Sequence, residues 1–336
     1  QVLCHDITQI IPGVKKDAVF RKGHIITKED IPVLLSVGKD TIYIWENDDT
    51  MMHENEAAQV LYSMCTCGTA SKMHPSSVKE GKIEVIADCD GLLKVDSEKL
   101  KKVNSFGEMM IATRHGNTTV KKDDKLAGTR IIPLVIKKDK LEAASHICDD
   151  GPILDIKPFV IRNAAIITTG NEVYHGRIQD AFTPVIEKKI AEFGAQMMFH
   201  EVFDDDDKKI TDGCLRAIEA GAEIVFCTGG MSVDPDDKTP LAIKNTGARI
   251  VSYGSPMLPG AMFLLSYYDA GDRLVPICGL PGCAMYNKRT IFDIVLPRLM
   301  ARDMILADEL AGLGEGGLCL NCDVCTFPNC GFGKGF

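Results

Sequence analysis

The chain has 336 residues, of which 25% are charged and 45% apolar, with a formal net charge of −9. That composition predicts a water-soluble globular protein of two or three domains and, with no basic tract, argues against nucleic acid or an anionic membrane surface as the main partner. No apolar run approaches the ~20 residues needed to span a bilayer. No secretion signal is legible, so the 13 cysteines point to a reducing, cytoplasmic setting, where clustered thiols mean metal or catalysis more often than disulfides.

In chain order, residues 1–50 read as a small α/β segment. Gly23-His24-Ile25-Ile26 and Thr41-Ile42-Tyr43-Ile44 have the make-up of short strands. Thr27 is placed to cap a brief helix that Gly38 ends. Residues 51–158 read as a smaller, β-rich α+β domain. Its helix, within residues 51–80, clusters Ala57, Ala58, Val60, Leu61 and Met64 on one face. Residues 82–87 alternate in polarity, Asp90-Gly91 is a hairpin-turn signal, and residues 92–95 read as the returning strand. Asp96 or Ser97 caps a short helix to about Val103. Further strands are expected over residues 109–114 and 130–136, the second at an edge because of Pro133. Gly151-Pro152 and Lys157-Pro158 mark the link to the next domain.

Residues 159–304 alternate strand and helix, which predicts an α/β domain with a doubly wound, mostly parallel sheet. Strands are expected over residues 164–168, 197–203, 223–227 and 274–278. Helices are expected from Thr183-Pro184 to Gly194, over residues 208–220, and from Thr239-Pro240 onward. In such sheets ligands bind at the carboxyl ends of the strands, near a topological switch point. The 170, 204 and 228 loops fall at that edge, joined by the 279 loop if its strand runs parallel.

The 228 loop carries the strongest chemical signal. Its Gly229-Gly230 pair lets a ligand approach the backbone, and the helix after it offers N–H groups to an anion. Asp234, Asp236 and Asp237 sit in the same loop. Donors for phosphate beside carboxylates for a hydrated cation suggest phosphate-ester or phosphoanhydride chemistry. The acids Asp204 to Asp207 are first read as favourable charges at a helix N-terminus. Arg114, His115 and His74 read as surface groups, and Cys65 and Cys67 as free thiols.

Five ordered segments resemble the molybdopterin molybdotransferases (the MoeA and gephyrin E-domain family). They are Thr169-Gly170-Asn171-Glu172; residues 176–180 ending in Asp180; Gly229-Gly230-Met231-Ser232-Val233 with Asp237; Pro259-Gly260; and Gly279-Leu280-Pro281-Gly282. Asp237-Lys238-Thr239-Pro240 also matches the D-x-T-P of the related adenylyltransferases (the MogA and MoaB type). The resemblance implies molybdopterin or its adenylylated form as cofactor, magnesium, and molybdate transfer with phosphoanhydride hydrolysis. It implies an anion cradle from the N–H groups of Gly229, Gly230 and Ser232. Asp237 would bind the cation or activate water, with Asp180 second and Asp236 a further ligand. Thr169, Gly170, Asn171, Glu172, Thr228, Asp234, Pro259, Gly260, Gly279, Leu280, Pro281, Gly282 and Cys283 would line the cofactor. It also implies a homodimer.

The chain departs from that family at several points. Asn171 and Phe182 stand where Asp and Asn are usual, and Cys283 replaces an Asn. Residues 257–262 lack the two lysines of the K-P-G-K-P loop, so Lys238 or Arg249 would have to supply positive charge. Two other functions are therefore expected alternatives: a non-catalytic carrier or insertase for an apo-molybdoenzyme, and a nucleotide pyrophosphatase like the CinA family. Residues 305–336 read as a flexible, glycine-flanked tail. Its Cys319, Cys322, Cys325 and Cys330 have spacing suited to an iron–sulfur cluster or to zinc.

Overall fold

The computed structural model describes residues 3, 5–11, 15–42, 48–67, 72–232, 234 and 237–335. Tyr43, Ile44 and the candidate ligand Asp236 lie outside the described residues. The chain divides into two units.

The first unit comprises Gln1–Cys89, Val95–Arg114 and Lys121–Asp155. It opens with a hairpin that the sequence reading missed, Ile7–Ile11 paired antiparallel with Lys15–Phe20. Residues 23–26, expected as a strand, make only a turn and one bridge residue. Thr27 starts the next element as expected. The Asp30 carboxylate accepts its N–H at 2.9 Å, ahead of the helix Ile31–Ser36. The helix Glu54–Thr66 buries Ala57, Ala58, Leu61 and Met64. The main sheet is antiparallel, in the order Met73–Pro75, Ile83–Ala87, Lys125–Ile131, Met109–Thr113. The strand expected over 130–136 is divided at Pro133, which has no N–H for a ladder; Val135–Lys137 pairs instead with Met51–His53.

The hairpin expected at Asp90-Gly91 does not form. Ile83–Ala87 pairs within the first unit, while Gly91–Val95 pairs with Thr118–Val120. Gly91 answers to packing rather than to a turn: a Cβ there would lie 2.5 Å from Ile156 Cγ2 and 2.6 Å from the Lys157 carbonyl oxygen.

The second unit comprises Asp90–Lys94, His115–Val120 and Ile156–Phe336. The strands of its main sheet and its longer helices are, in chain order, β1 (Asn163–Thr169), α1 (Phe182–Ala191), β2 (Gln196–Phe203), α2 (Asp207–Glu219), β3 (Ile224–Thr228), α3 (Thr239–Asn245), β4 (Arg249–Tyr253), β5 (Leu264–Asp269), β6 (Leu274–Leu280), α4 (Ile291–Met300) and α5 (Ala307–Gly312). The sheet runs β2-β1-β3-β6-β5-β4. Its first four strands are parallel, and β5 is antiparallel to both of its neighbours.

The central strands are buried and apolar up to their threonine ends because both faces are covered. Ala164, Ile166, Ile224, Phe226 and Leu280 pack with Ile186 and Ile190 of α1 and Phe292, Val295 and Leu299 of α4. Ala165, Ile167, Val225, Cys227 and Ile277 pack with Ile210, Cys214 and Ala217 of α2 and Ala242 and Ile243 of α3. Each fully buried Ile or Phe contributes about 1.5–3 kcal/mol. Asp206 caps α2 by accepting the Lys208 and Lys209 N–H groups. The doubly wound sheet is therefore as expected, with helix boundaries displaced by a residue or so.

The C-terminal tail differs from the loose appendage expected. Leu318 bridges Leu258, with Leu258 N–H to Gly317 O and Cys319 N–H to Leu258 O both at 2.8 Å. Phe332 is buried in the α4 cluster, and Gly333 sits where a Cβ would meet Ile294 Cδ1 at 2.3 Å.

Candidate functional site

The chain passes from β1 to β2 on one side and then returns to β3 on the other side of β1. The switch point is therefore between β1 and β3, where the 170 and 228 loops leave the carboxyl edge. Because β6 is parallel to β3, the 279 loop shares that edge, and β4 brings the 254–262 loop there as well.

The two loops at the switch point touch. Gly229 has φ +81, and a Cβ on it would fall 2.0 Å from the Thr169 carbonyl oxygen. Gly230, at φ +55, leaves room for Thr239 Oγ1. Thr169 Oγ1 hydrogen-bonds Thr228 O at 3.1 Å and shares a bond with Thr239 Oγ1 at 3.0 Å, and Thr239 donates to Gly229 O at 2.9 Å. The glycine pair is thus first a requirement of loop-on-loop contact. Gly279 likewise receives the side chain of Met231, and Gly260, at φ +131, accommodates Ile291 at the start of α4. Gly282 is different: its φ is not positive and nothing lies within 4 Å of a Cβ there. It is exposed at the mouth of the edge, so its own surroundings do not demand glycine.

The carboxylates separate by their partners. Asp180, the second catalytic candidate, is saturated. It accepts from Thr168 Oγ1 at 2.9 Å, Thr183 Oγ1 at 2.5 Å and the N–H groups of Phe182 and Thr183, with His200 Nε2 at 3.6 Å. Burial opposes its ionisation, but the bonds from Thr183, Thr168 and Phe182 outweigh that and hold the carboxyl below its ordinary value. It acts as the anchor between β1 and α1. Asp237 is the opposite case, because its Oδ2 is buried with no hydrogen-bond partner among the described residues. Such an atom calls for a donor or a cation.

Asp205 completes the picture and was missed as a site residue, because a run of four acids before a helix reads as dipole charge. Asp206 is indeed the cap, and Asp204 pairs with Lys209 at 2.8 Å. Asp205 turns instead to Asn171, whose N–H lies 3.3 Å from its Oδ2. Burial raises its pKa; the Asn171 N–H opposes this, while the neighbouring charges of Glu172, Asp237 and Asp204 add to it. Burial and the field of Asp237 raise the Tyr253 phenol as well. Glu172, Asp205, Asp237 and Tyr253 therefore share one negative field at the carboxyl edge.

The other expected residues are dispersed around this centre. Thr169 and Thr228 are buried strand ends, Asn171, Ser232 and Asp234 are exposed, and Cys283 is half-buried with its thiol pushed up by burial. Leu280 and Pro281 are buried, and Pro259 accepts the Ile291 N–H. Arg249 starts β4 and so lies at the amino end of that strand, away from the edge; Lys238 directly precedes α3 at the edge. Arg114 pairs with Asp124 and His74 with Asp88. Among the described residues no group of three or more His, Cys, Asp or Glu side chains is gathered to hold a metal ion. That statement includes Cys319, Cys322, Cys325 and Cys330.

Residues 165–301 match a family described as "Probable molybdopterin binding domain", and residues 1–46 match one described as a domain of unknown function. A "Putative competence-damage inducible protein" of Geobacillus sp. (strain WCH70) is 34% identical over 89 residues, 26% of this chain and 20% of that protein. Its namesake in Bacillus cereus (strain B4264) is 32% identical over 77 residues, 23% and 18% of the two chains. The chain thus spans about a fifth of the length of these curated relatives. Among solved structures, the tungsten cofactor synthesizing protein MoaB from Pyrococcus furiosus is matched at 18% identity over 44% of this chain and 91% of that one, with a TM-score of 0.32. The protein CinA from Thermoplasma acidophilum is matched at 18% identity over 41% and 98%, with a TM-score of 0.33. What the comparisons show is a match of residues 165–301, less than half of the chain, to the molybdopterin-binding domain family.

Proposed function

We propose that the second unit binds a phosphorylated pterin of the molybdopterin type at the carboxyl edge of its sheet, and acts on the phosphoanhydride of the adenylylated form. The observation that carries this reading is the buried, unpartnered Asp237 Oδ2 at the switch point. A pyrophosphate brought to a field made by Glu172, Asp205 and Asp237 would be repelled unless a cation came with it. Magnesium fits the residues present. It is commonly held by one or two carboxylates plus substrate phosphates and water, so it needs no protein cage of three ligands. Asp237 would hold it, with Asp205 beside it, and the ion would supply charge neutralisation at the phosphates. The chain's own part is to present Gly229, Gly230 and Ser232 N–H groups and to leave room at Gly282 for close approach.

Molybdate transfer is the further step of this reading, with the pterin and molybdate as partners. The loop over residues 257–262 gives it less support, since its lysines are replaced and Leu258 is engaged by the tail. A nucleotide pyrophosphatase, which the resemblance to the CinA family implies, is the second reading; the two curated relatives above are competence-damage inducible proteins in name. Incubating the full chain and magnesium with adenylylated molybdopterin and with ADP-ribose tests both. Release of AMP from the pterin alone supports the first, and release from ADP-ribose alone the second. Tight binding of molybdopterin without turnover of either would instead mark a carrier.

A further inference from the structure

The exposed aromatic side chains of this protein are gathered in one place. Tyr174, Tyr253 and Tyr286 are 47%, 49% and 73% exposed, whereas every other described Phe or Tyr is buried or half-buried. All three stand at the carboxyl edge of the second unit's sheet. Tyr174 ends the short helix Asn171–Tyr174 in the 170 loop, directly after β1. Tyr286 ends the short helix Cys283–Tyr286, which follows β6 and the open Gly282. Tyr253 is the last residue of β4, and two antiparallel steps from β6 through β5 bring that end to the same edge. A phenol ring is an apolar body with a polar tip, so each of these positions offers a ligand ring a flat surface to bury.

Their arrangement fits a ligand with a ring at each end. Along the sheet, β1 and β4 are four strand positions apart, about 19 Å at ~4.8 Å per strand. Asp237 follows β3, which lies between them in that order. After burial, it is the Asp237 charge that raises the Tyr253 phenol. Tyr174 packs edge-on against the His175 ring, with centroids 5.3 Å apart. Neither Tyr253 nor Tyr286 pairs with another ring or with a cation over its face among the described residues. A protein partner would call for one continuous apolar surface. Here the carboxylates of Glu172, Asp205 and Asp237 share the edge with the rings, a mixture suited to planar rings joined by phosphates that carry a cation.

We propose that these tyrosines are stacking platforms for the planar rings of the ligand, Tyr174 for one ring and Tyr253 with Tyr286 for the other, with the phosphates between them at Asp237. The substrate class is then a pyrophosphate that joins two heteroaromatic rings. The adenylylated pterin is such a molecule, and ADP-ribose, with one ring, is not. This rests on the reading of the same edge as a magnesium-assisted phosphate site. Stacking tolerates many rings, because every heterocycle has a π face. The tyrosines therefore select for the number and spacing of rings, and the glycine loop and carboxylates for the phosphates.

Three stable probes separate these parts: pyrophosphate, with no ring; ADP-ribose, with one; and diadenosine diphosphate, with two. Each is titrated calorimetrically into the full chain with magnesium. Diadenosine diphosphate should bind about tenfold tighter than ADP-ribose. Tyr174→Leu and Tyr253→Leu should each weaken its binding about tenfold and leave pyrophosphate binding unchanged. Tyr174→Phe and Tyr253→Phe should bind it as the wild type does, because the ring and not the hydroxyl is used. A merely structural role would move pyrophosphate binding as well. The replaced side chains are exposed, so all four variants should keep the wild-type melting temperature. Two-ring binding no tighter than that of ADP-ribose, indifferent to both leucine variants, or lost equally in the phenylalanine variants would overturn the stacking and leave the phosphate site standing. A wild-type chain that binds none of the three probes would overturn both.

Discussion

Asp237 and Asp180 are two carboxylates at one sheet edge that differ in hydrogen bonding, and this assigns them different work. Asp237→Asn should reduce release of AMP from adenylylated molybdopterin at least a hundredfold. The loss of a cation-binding charge is worth on the order of several kcal/mol in the transition state. Its melting temperature should not fall, because no hydrogen bond to Oδ2 is removed. Asp180→Ala should show the reverse order of effects. Loss of the anchor to Thr168 and Thr183 should cost about 1–2 kcal/mol of stability, the scale of a lost helix cap. The Asp180 carboxyl is held below its ordinary value, so its stabilisation is present above the normal carboxylate range and fades as pH falls below it. Denaturant melts from pH 7 to pH 3 would check this: a wild-type advantage over Asp180→Ala that grows on acidification would contradict it.

At the scale of elements, glycines separate what the fold needs from what a ligand needs. Gly229→Ala places a Cβ against the Thr169 carbonyl at φ +81, so it should unfold the switch point or destabilise it by several kcal/mol. Gly282→Ala meets nothing; it should fold normally and weaken pterin binding alone. Equal loss of stability in both would remove the reason for placing ligand beside Gly282. The β1–β3–β6 edge was legible in the sequence because buried parallel strands are continuous apolar runs closed by Gly turns. The N-terminal hairpin was not, because Lys15–Phe20 mixes charged and apolar residues without a clean period. Asp90-Gly91 misled because a turn dipeptide and a glycine fitted under Ile156 look alike in sequence. Asp205 was hidden among like neighbours; only coordinates show that it alone turns toward Asn171. The docking of the tail rests on backbone bonds to Leu258, which leave no compositional trace.

Within the second unit, an ion-pair network ties distant segments together. Asp303 receives Lys94, Lys157 and Arg298 at 2.8, 2.6 and 2.6 Å, and Arg298 also reaches Glu309 at 2.8 Å. Burial opposes the Asp303 charge, but these cations bring its carboxyl down to about 2. The contribution, about 2 kcal/mol at ~1.4 kcal/mol per pKa unit, is complete above the unfolded carboxylate value and lost as pH falls through about 2. Asp303→Asn should remove the carboxylate that three cations share, leaving Arg298 with Glu309 and Lys94 with Asn117, and lower stability by about 3 kcal/mol at pH 7, read as a shift of the denaturation midpoint.

The central claim, that the switch-point edge with Asp237 is a magnesium-assisted pterin-phosphate site, is tested most directly by calorimetric titration of the full chain with adenylylated molybdopterin, with magnesium and with EDTA. The account predicts saturable binding of one ligand per chain, at least tenfold tighter with magnesium, and loss of that magnesium effect in Asp237→Asn. Absence of binding, or binding indifferent to both magnesium and the substitution, would contradict it.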